Sequence, residues 1–209
     1  MNAYDWDKTI YSGDSTCDLV RYLWRKRPIT LFNIPRMIWY GVAYKLGKVS
    51  REVFKTNLYT MFRYVDDMDE VVDEFVESHL DKVKQWYLEQ QKLDDIVISA
   101  SPQWLIERFC QEIGIKYCIA SKVHMQTGTL MGETCRGEQK VHRLMEWRLK
   151  KFEQGDDDLQ VKWPLIDKFY SDSLSDAPMA RIARGAFLVK GDQITAWPVE
   201  SLKGGRRGG

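Results

Sequence analysis

From Ser15 to about Gln91 the sequence contains nothing that reads as a β-strand, and just beyond it the pattern switches. Ile96-Val97-Ile98 is a continuous β-branched run, the pattern of a strand buried on both faces of a parallel sheet. A fold for this chain must therefore lodge a helical block of roughly 75 residues, about the size of a small domain, ahead of a strand that needs neighbours on both sides. Upstream, Tyr4-Asp5-Trp6-Asp7-Lys8-Thr9-Ile10 is short and strand-like and carries two acids.

The block divides into helices by the spacing of its apolar residues. Ser12-Gly13-Asp14-Ser15 reads as a turn running into an N-cap, after which Leu19, Val20 and Leu23 share a face. Ile34-Pro35 opens a second helix, with Asn33 as a cap and Gly47 past its end. Ser50 caps a third, with Phe54 and Leu58 on one side. Val72, Phe75, Val76, Leu80 and Val83 predict a fourth.

Downstream, strands and helices alternate. Ser101-Pro102 supplies a cap and a first helical position, followed by Leu105, Ile106, Phe109, Cys110 and Ile113 at helical spacing. Tyr117 to Ala120 predicts a strand, and Val123 to Gly132 a hairpin or extended excursion around Gly128. Gly137 to Phe152 is a helix with Val141, Leu144, Met145 and Leu149 in its stripe. Gly155-Asp156-Asp157-Asp158 reads as a loop. Lys168 to Ser171 is a strand meeting Asp172, and Ser175-Asp176-Ala177-Pro178 caps a helix through Ala183. Ala186 to Val189 and Ile194 to Trp197 read as closing strands, and Gly204 to Gly209 as a flexible end. Such alternation implies an α/β parallel sheet, interrupted after its first strand. The expected division is a discontinuous core over 1–13 and 92–209 and a helical insertion over 14–91.

Composition removes several classes of function. Lys plus Arg is 31 and Asp plus Glu is 30, a balance without a global electrostatic footprint for nucleic acid or an anionic membrane. No stretch has the ~20 apolar residues of a membrane span. The first residues carry acids where a signal peptide would be basic and then apolar. Cys17, Cys110, Cys118 and Cys135 are scattered, as are the three histidines, so a zinc site is poorly supported and a reduced, cytoplasmic setting is expected.

In a parallel sheet the ligand crevice lies outside the carboxyl ends of the strands. Asp5 and Asp7, Ser99, and Asp172 with Asp176 all fall there, and Lys140 sits in the first turn of a helix. Each alone has an ordinary reading. Ser99 is loop polarity and Asp176 an acid at a helix start. Lys140 is a helix lysine, although the helix dipole disfavours a cation there by a few tenths of a kcal/mol. Together, they point to one crevice.

The set also resembles a known family. Asp5-Trp6-Asp7-Lys8-Thr9 resembles the D-x-D-x-T opening motif of haloacid dehalogenase superfamily phosphatases, which often have Phe where Trp6 stands. Ile96-Val97-Ile98-Ser99 resembles their second motif, Lys140 their third, and Asp172-Ser173-Leu174-Ser175-Asp176 their fourth. The helical block lies where phosphoserine-phosphatase-like members carry a helical cap. The resemblance implies a Rossmann-like parallel sheet flanked by helices with an inserted all-helical cap domain. It implies a Mg²⁺-dependent phosphomonoester hydrolase acting through an aspartyl-phosphate on a small phosphorylated metabolite, with neither nucleic acid nor membrane as partner.

Residue by residue, the resemblance makes Asp5 the nucleophile and Asp7 the acid and base. Thr9, Ser99 and Lys140 would bind the phosphoryl group. Asp5, Asp172 and the main-chain carbonyl of Asp7 would hold Mg²⁺, supported from behind by Asp176. These residue types suit the chemistry. A phosphomonoester carries about two negative charges near neutral pH, and a carboxylate cannot approach until a hard dication and a lysine offset them. Asp14 stands at the position of a substrate-binding Glu, one methylene shorter. Arg51 and Arg63 are candidates for a substrate anion, with surface charge as the equal alternative. A phosphotransferase with the same chemistry, or a catalytically silent binding module, remains open; a metal-dependent glycosyltransferase would explain Asp5 and Asp7 but leave Lys140, Asp172 and Asp176 idle.

Overall fold

The computed structural model describes residues 1–154 and 165–202; the expected loop at 155–158 and the end at 204–209 lie outside the described residues. Six strands form one sheet: β1 (Ala3–Tyr4), β2 (Ile96–Pro102), β3 (Tyr117–Ser121), β4 (Ile166–Ser171), β5 (Ala183–Lys190) and β6 (Gln193–Ala196). Their order is β3-β2-β1-β4-β5-β6. All neighbours are parallel except β5 and β6. Ala3 is paired with Ile96 on one side and Phe169 on the other, so the shortest strand is central. The chain leaves β1 in one direction to β2 and β3 and returns on the other side as β4. This reversal of strand order opens a crevice at the carboxyl ends of β1, β2 and β4.

Nine α-helices are described: α1 (Ser15–Lys26), α2 (Ile34–Lys45), α3 (Arg51–Tyr59), α4 (Met68–Glu77), α5 (Gln85–Gln90), α6 (Gln103–Glu112), α7 (Glu138–Glu153), α8 (Ala177–Arg181) and α9 (Val199–Leu202). The first five lie between β1 and β2, as the sequence pattern requires. Strand alternation sorts the core into two faces. Tyr4, Val97 and Tyr170 join Leu19, Phe75, Tyr87 and Phe109 on one face. Ala3, Ile96, Ile98 and Phe169 join Leu144, Met179 and Leu188 on the other. The helical insertion has no separate core of its own: Leu19, Phe62 and Phe75 belong to the same buried cluster as Trp6 and Tyr11. Among the described residues, no helix is long and apolar enough to cross a membrane.

Caps at α1 and α3 follow the sequence. Asp14 accepts from the Cys17 N–H at 2.9 Å and Ser50 from Val53 at 3.3 Å. The excursion around Gly128 is a hairpin closed by a Val123 to Leu130 bridge. Other expectations are corrected. The first strand ends at Tyr4, and the N–H groups of Thr9, Ile10 and Tyr11 all turn back onto the Trp6 carbonyl. Asn33 does not cap α2; its side chain bonds the carbonyls of Asn57 and Leu58. The fourth helix stops at Glu77, leaving Leu80 in a 3-10 turn and Val83 bridged to Tyr11. Ser101 is not a cap, because β2 runs through to Pro102. Beyond Ser173 a 3-10 turn, Leu174–Asp176, precedes α8, and Ala183 already opens β5.

Candidate active site

The turn after β1 presents Asp5 and Asp7 to the same side, while Trp6 packs into the core between Tyr11 and Phe109 at centroid distances of 5.9 and 5.2 Å. A tight turn produces this arrangement rather than the pleat of a strand. Asp5 and Asp7 open onto a cavity of about 560 Å³. Its floor also carries Asp172 and Asp176 from beyond β4, Lys140 from α7 and Ser101 from β2. Across it stand Met37, Arg51, Phe54, Lys55, Leu58 and Tyr59 of the helical insertion. Residues 5 and 172 reach one cavity because β1 and β4 are neighbours in the sheet.

Lys140 is the organising charge. It is 1% exposed, and its Nζ lies 2.8 Å from Asp5 Oδ1 and 2.7 Å from Asp176 Oδ2. Burial opposes a charge on Lys140, but the carboxylates of Asp176 and Asp5 outweigh it and hold the amine above its ordinary range. Asp176 also accepts from the Ser171 hydroxyl at 2.9 Å and the Gly137 N–H at 3.3 Å. Burial pushes Asp176 up, yet Lys140 and these donors bring it below the usual carboxylate value. Asp5 goes the other way, to about 7. Burial dominates, and the acids Asp176 and Asp7 add to it against the pull of Lys140.

Both oxygens of the Asp7 carboxylate are engaged. Oδ1 accepts from the N–H and the hydroxyl of Ser15, each at 2.6 Å, and Oδ2 from Ser101 at 2.5 Å. Burial, then the nearby Asp14, still raises the Asp7 carboxyl. Asp14 caps α1 and borders the cavity. Asp172 is raised by burial, with Lys8 and Lys140 opposing.

Two expected phosphate ligands sit elsewhere. Thr9 is fully buried, its hydroxyl lacks a partner among the described residues, and it is not part of the cavity lining. The turn that brings the Thr9 N–H onto the Trp6 carbonyl buries Thr9 away from the cavity lining. Ser99 is also fully buried and accepts the Ser101 N–H at 3.1 Å, so Ser101 is the β2 hydroxyl on the cavity wall. Of the two arginines considered, Arg51 lines the cavity, whereas Arg63 bonds the Thr127 carbonyl away from it. Sequence reasoning missed Ser101, Ser15, Ser171, Arg136 and Lys55. The register of β2 shifts between Ile98 and Pro102, so alternation along the strand could not have told Ser99 from Ser101. Lys55 is fixed by a 2.6 Å bond to the Ala100 carbonyl. Burial, with Arg51 beside it, lowers its amine to about 8.

Asp5, Asp172 and Asp176 bring hard oxygen donors to the cavity beside Lys140. That suits a hard dication such as Mg²⁺, which is held by one or two carboxylates plus waters and phosphate oxygens. The Asp7 carboxylate is already hydrogen-bonded by Ser15 and Ser101. Among the described residues no group of three His, Cys, Asp or Glu side chains is arranged to hold a metal ion.

Comparisons with known proteins agree with this layout. Residues 3–181 match the family model of haloacid dehalogenase-like hydrolases. A protein of unknown function from Bordetella pertussis Tohama I shares the fold with a TM-score of 0.72 at 17% identity, over 89% of this chain and 87% of that one. A HAD family hydrolase from Salmonella enterica serovar Typhi aligns with a TM-score of 0.58 at 14% identity, over 87% of this chain and 59% of the other. A probable phosphoserine phosphatase from Vibrio cholerae gives 0.59 at 11% identity, over 88% and 55%. The chain thus spans a little over half the length of the latter two. Among proteins with curated descriptions, none matches the sequence.

Proposed function

The chain belongs to the haloacid dehalogenase-like hydrolase family, and on that premise we propose that it is a Mg²⁺-dependent phosphomonoester hydrolase. The observation that carries the reading is the convergence of Asp5, Asp7, Asp172 and Asp176 on one cavity, with buried Lys140 bridging Asp5 and Asp176. Asp5 Oδ1 is tied to Lys140 and the Trp6 N–H, while Oδ2 meets only Ser171 at 3.3 Å among the described residues, so Oδ2 is the freer nucleophile. It attacks phosphorus and forms an aspartyl-phosphate as the bond to the leaving alcohol breaks. Asp7, held by Ser15 and Ser101 and raised by burial, gives its proton to that alcohol and regains one from the water that cleaves the phosphoenzyme. Asp5, Asp172 and the Asp7 carbonyl would hold Mg²⁺, whose chemistry is to neutralise phosphoryl oxygens and orient them. Lys140 and Ser101 stabilise the same oxygens.

The substrate is a small phosphorylated metabolite. A cavity of about 560 Å³ lies within the range of small-molecule sites. Met37, Phe54 and Leu58 favour a leaving group with apolar surface, and Arg51 and Lys55 favour one that also bears an anion. The free thiols among the described cysteines support a cytoplasmic setting. The test is a panel of phosphomonoesters with Mg²⁺ or with chelator. Turnover requires Mg²⁺, and Asp5→Asn lowers it roughly a thousandfold or more. Undiminished turnover by Asp5→Asn rules out the nucleophile assignment.

A further inference from the structure

The outward face of the helical insertion is inverted. In α2 no residue is buried, and the large apolar side chains point to solvent. Trp39 is 72% exposed and Leu46 65%, with Ile38 and Val42 on the same side. The preceding 3-10 turn, Pro28–Asn33, adds Phe32 at 80%, together with Ile29 and Leu31. The inner side of α2 packs instead. Tyr44 stacks on Phe54 of α3 with centroids 5.4 Å apart, and Gly41 faces the same ring. A contiguous apolar surface of this kind marks a contact with a partner or a membrane.

Charge identifies the occupant. Between Asp18 and Glu52 the chain carries eight Lys or Arg and no acid, although the whole chain has a net charge of only +1; Arg21, Lys26 and Arg27 pair with Asp18, Glu74 and Asp67, and Arg51 lines the cavity, which leaves four. Arg25, Arg36, Lys45 and Lys48 are exposed, and no carboxylate pairs with any of them among the described residues. Aromatic and aliphatic side chains rimmed by bases are the composition of a segment that lies in a bilayer interface. A second copy is a poor occupant, because a two-fold contact would bring the same basic segment against itself. We infer that this face, built from Pro28–Asn33 and α2, docks on an anionic lipid bilayer. The helix lies in the interface plane and does not span it. Met37 of α2 lines the cavity while Ile38 and Trp39 beside it face out, so docking brings the cavity close to the lipid surface.

The test is co-sedimentation of the full chain with phosphatidylcholine vesicles, with and without phosphatidylglycerol. The protein pellets with the anionic vesicles, and added salt weakens the binding. Phe32→Gln/Trp39→Gln reduces vesicle affinity roughly tenfold or more, without lowering the thermal midpoint, since both side chains are exposed. Lys45→Glu/Lys48→Glu reduces it at least about tenfold by charge alone. The inference is overturned if the wild type stays in the supernatant with anionic vesicles, if it binds neutral vesicles equally well, or if both variants bind as the wild type does. A dimer that Trp39→Gln dissociates, with no vesicle binding, assigns the face to a second copy and also overturns it.

Discussion

Replacing Lys140 with Met tests the electrostatic centre of the site. The substitution keeps most of the side-chain volume and removes a buried ammonium that lies 2.8 Å from Asp5 and 2.7 Å from Asp176. Breaking a buried ion pair by removing one partner costs about 3–5 kcal/mol, because the other charge is left without its counter-ion. Here two carboxylates are left. Each keeps some donors: Asp176 retains Ser171 and the Gly137 N–H, and Asp5 retains the Trp6 N–H. The expected loss at pH 8 is therefore about 3–5 kcal/mol and not twice that, a large part of the 5–15 kcal/mol by which domains are typically stable.

The pH dependence of Lys140→Met has a definite sign. Asp5 already stands at about 7 against an ordinary 3.8, and Lys140 is a lowering influence on it, so its removal raises Asp5 further. The native state then holds a proton that the unfolded chain has released, and stability falls as pH rises from about 4 through 7 and beyond. Urea unfolding from pH 5 to 8, with unchanged slopes, measures this. Lys140→Met/Asp176→Asn recovers about half of the loss at pH 8, because one stranded charge is gone. A single variant within ~1 kcal/mol of wild type at pH 8, with no dependence on pH, refutes the reasoning.

Other expectations follow from particular contacts. Gly128 has φ +68°, and a methyl group there overlaps the main-chain carbonyl of Tyr59 and comes within 2.7 Å of its Cβ. Gly128→Ala is expected to lose about 2–4 kcal/mol in urea unfolding, from left-handed strain and from parting the hairpin from the helical insertion. Burial pushes Asp18 up, but Lys82, Tyr11 and Arg21 bring it below the ordinary carboxylate value. Asp18→Asn therefore loses about 1.5–3 kcal/mol at neutral pH. The gap to wild type closes as pH falls through the depressed native value, where the stabilising charge is lost. With Lys55 held near 8, KM for an anionic phosphomonoester rises above pH 8 as the amine deprotonates, and Lys55→Arg flattens that rise.

Much of the fold was legible in local pattern because its causes are local. Ile96-Val97-Ile98 can only be a strand covered on both faces, and it is. Asp14 and Ser50 cap helices within three residues of themselves. Expectations failed where a long-range partner outbid the local preference. Ser101 looks like a helix cap but gives its hydroxyl to Asp7, which is 94 positions earlier in the chain. Asn33 looks like a cap but bonds α3.

By itself the sequence determined that strands alternate with helices, that a helical block interrupts them early, and which acids and lysine fall near strand and helix ends. Periodicity and turn chemistry decide those things within a few residues. Only the tertiary structure decided that Asp5 meets Lys140, that Ser101 and not Ser99 lines the cavity, and that Thr9 is buried away from it. It alone decided that the apolar residues of α2 face outward, since a helical stripe specifies a face but not the neighbour that covers it. The pairings depend on which strands lie side by side, and sheet order is a property of the whole chain.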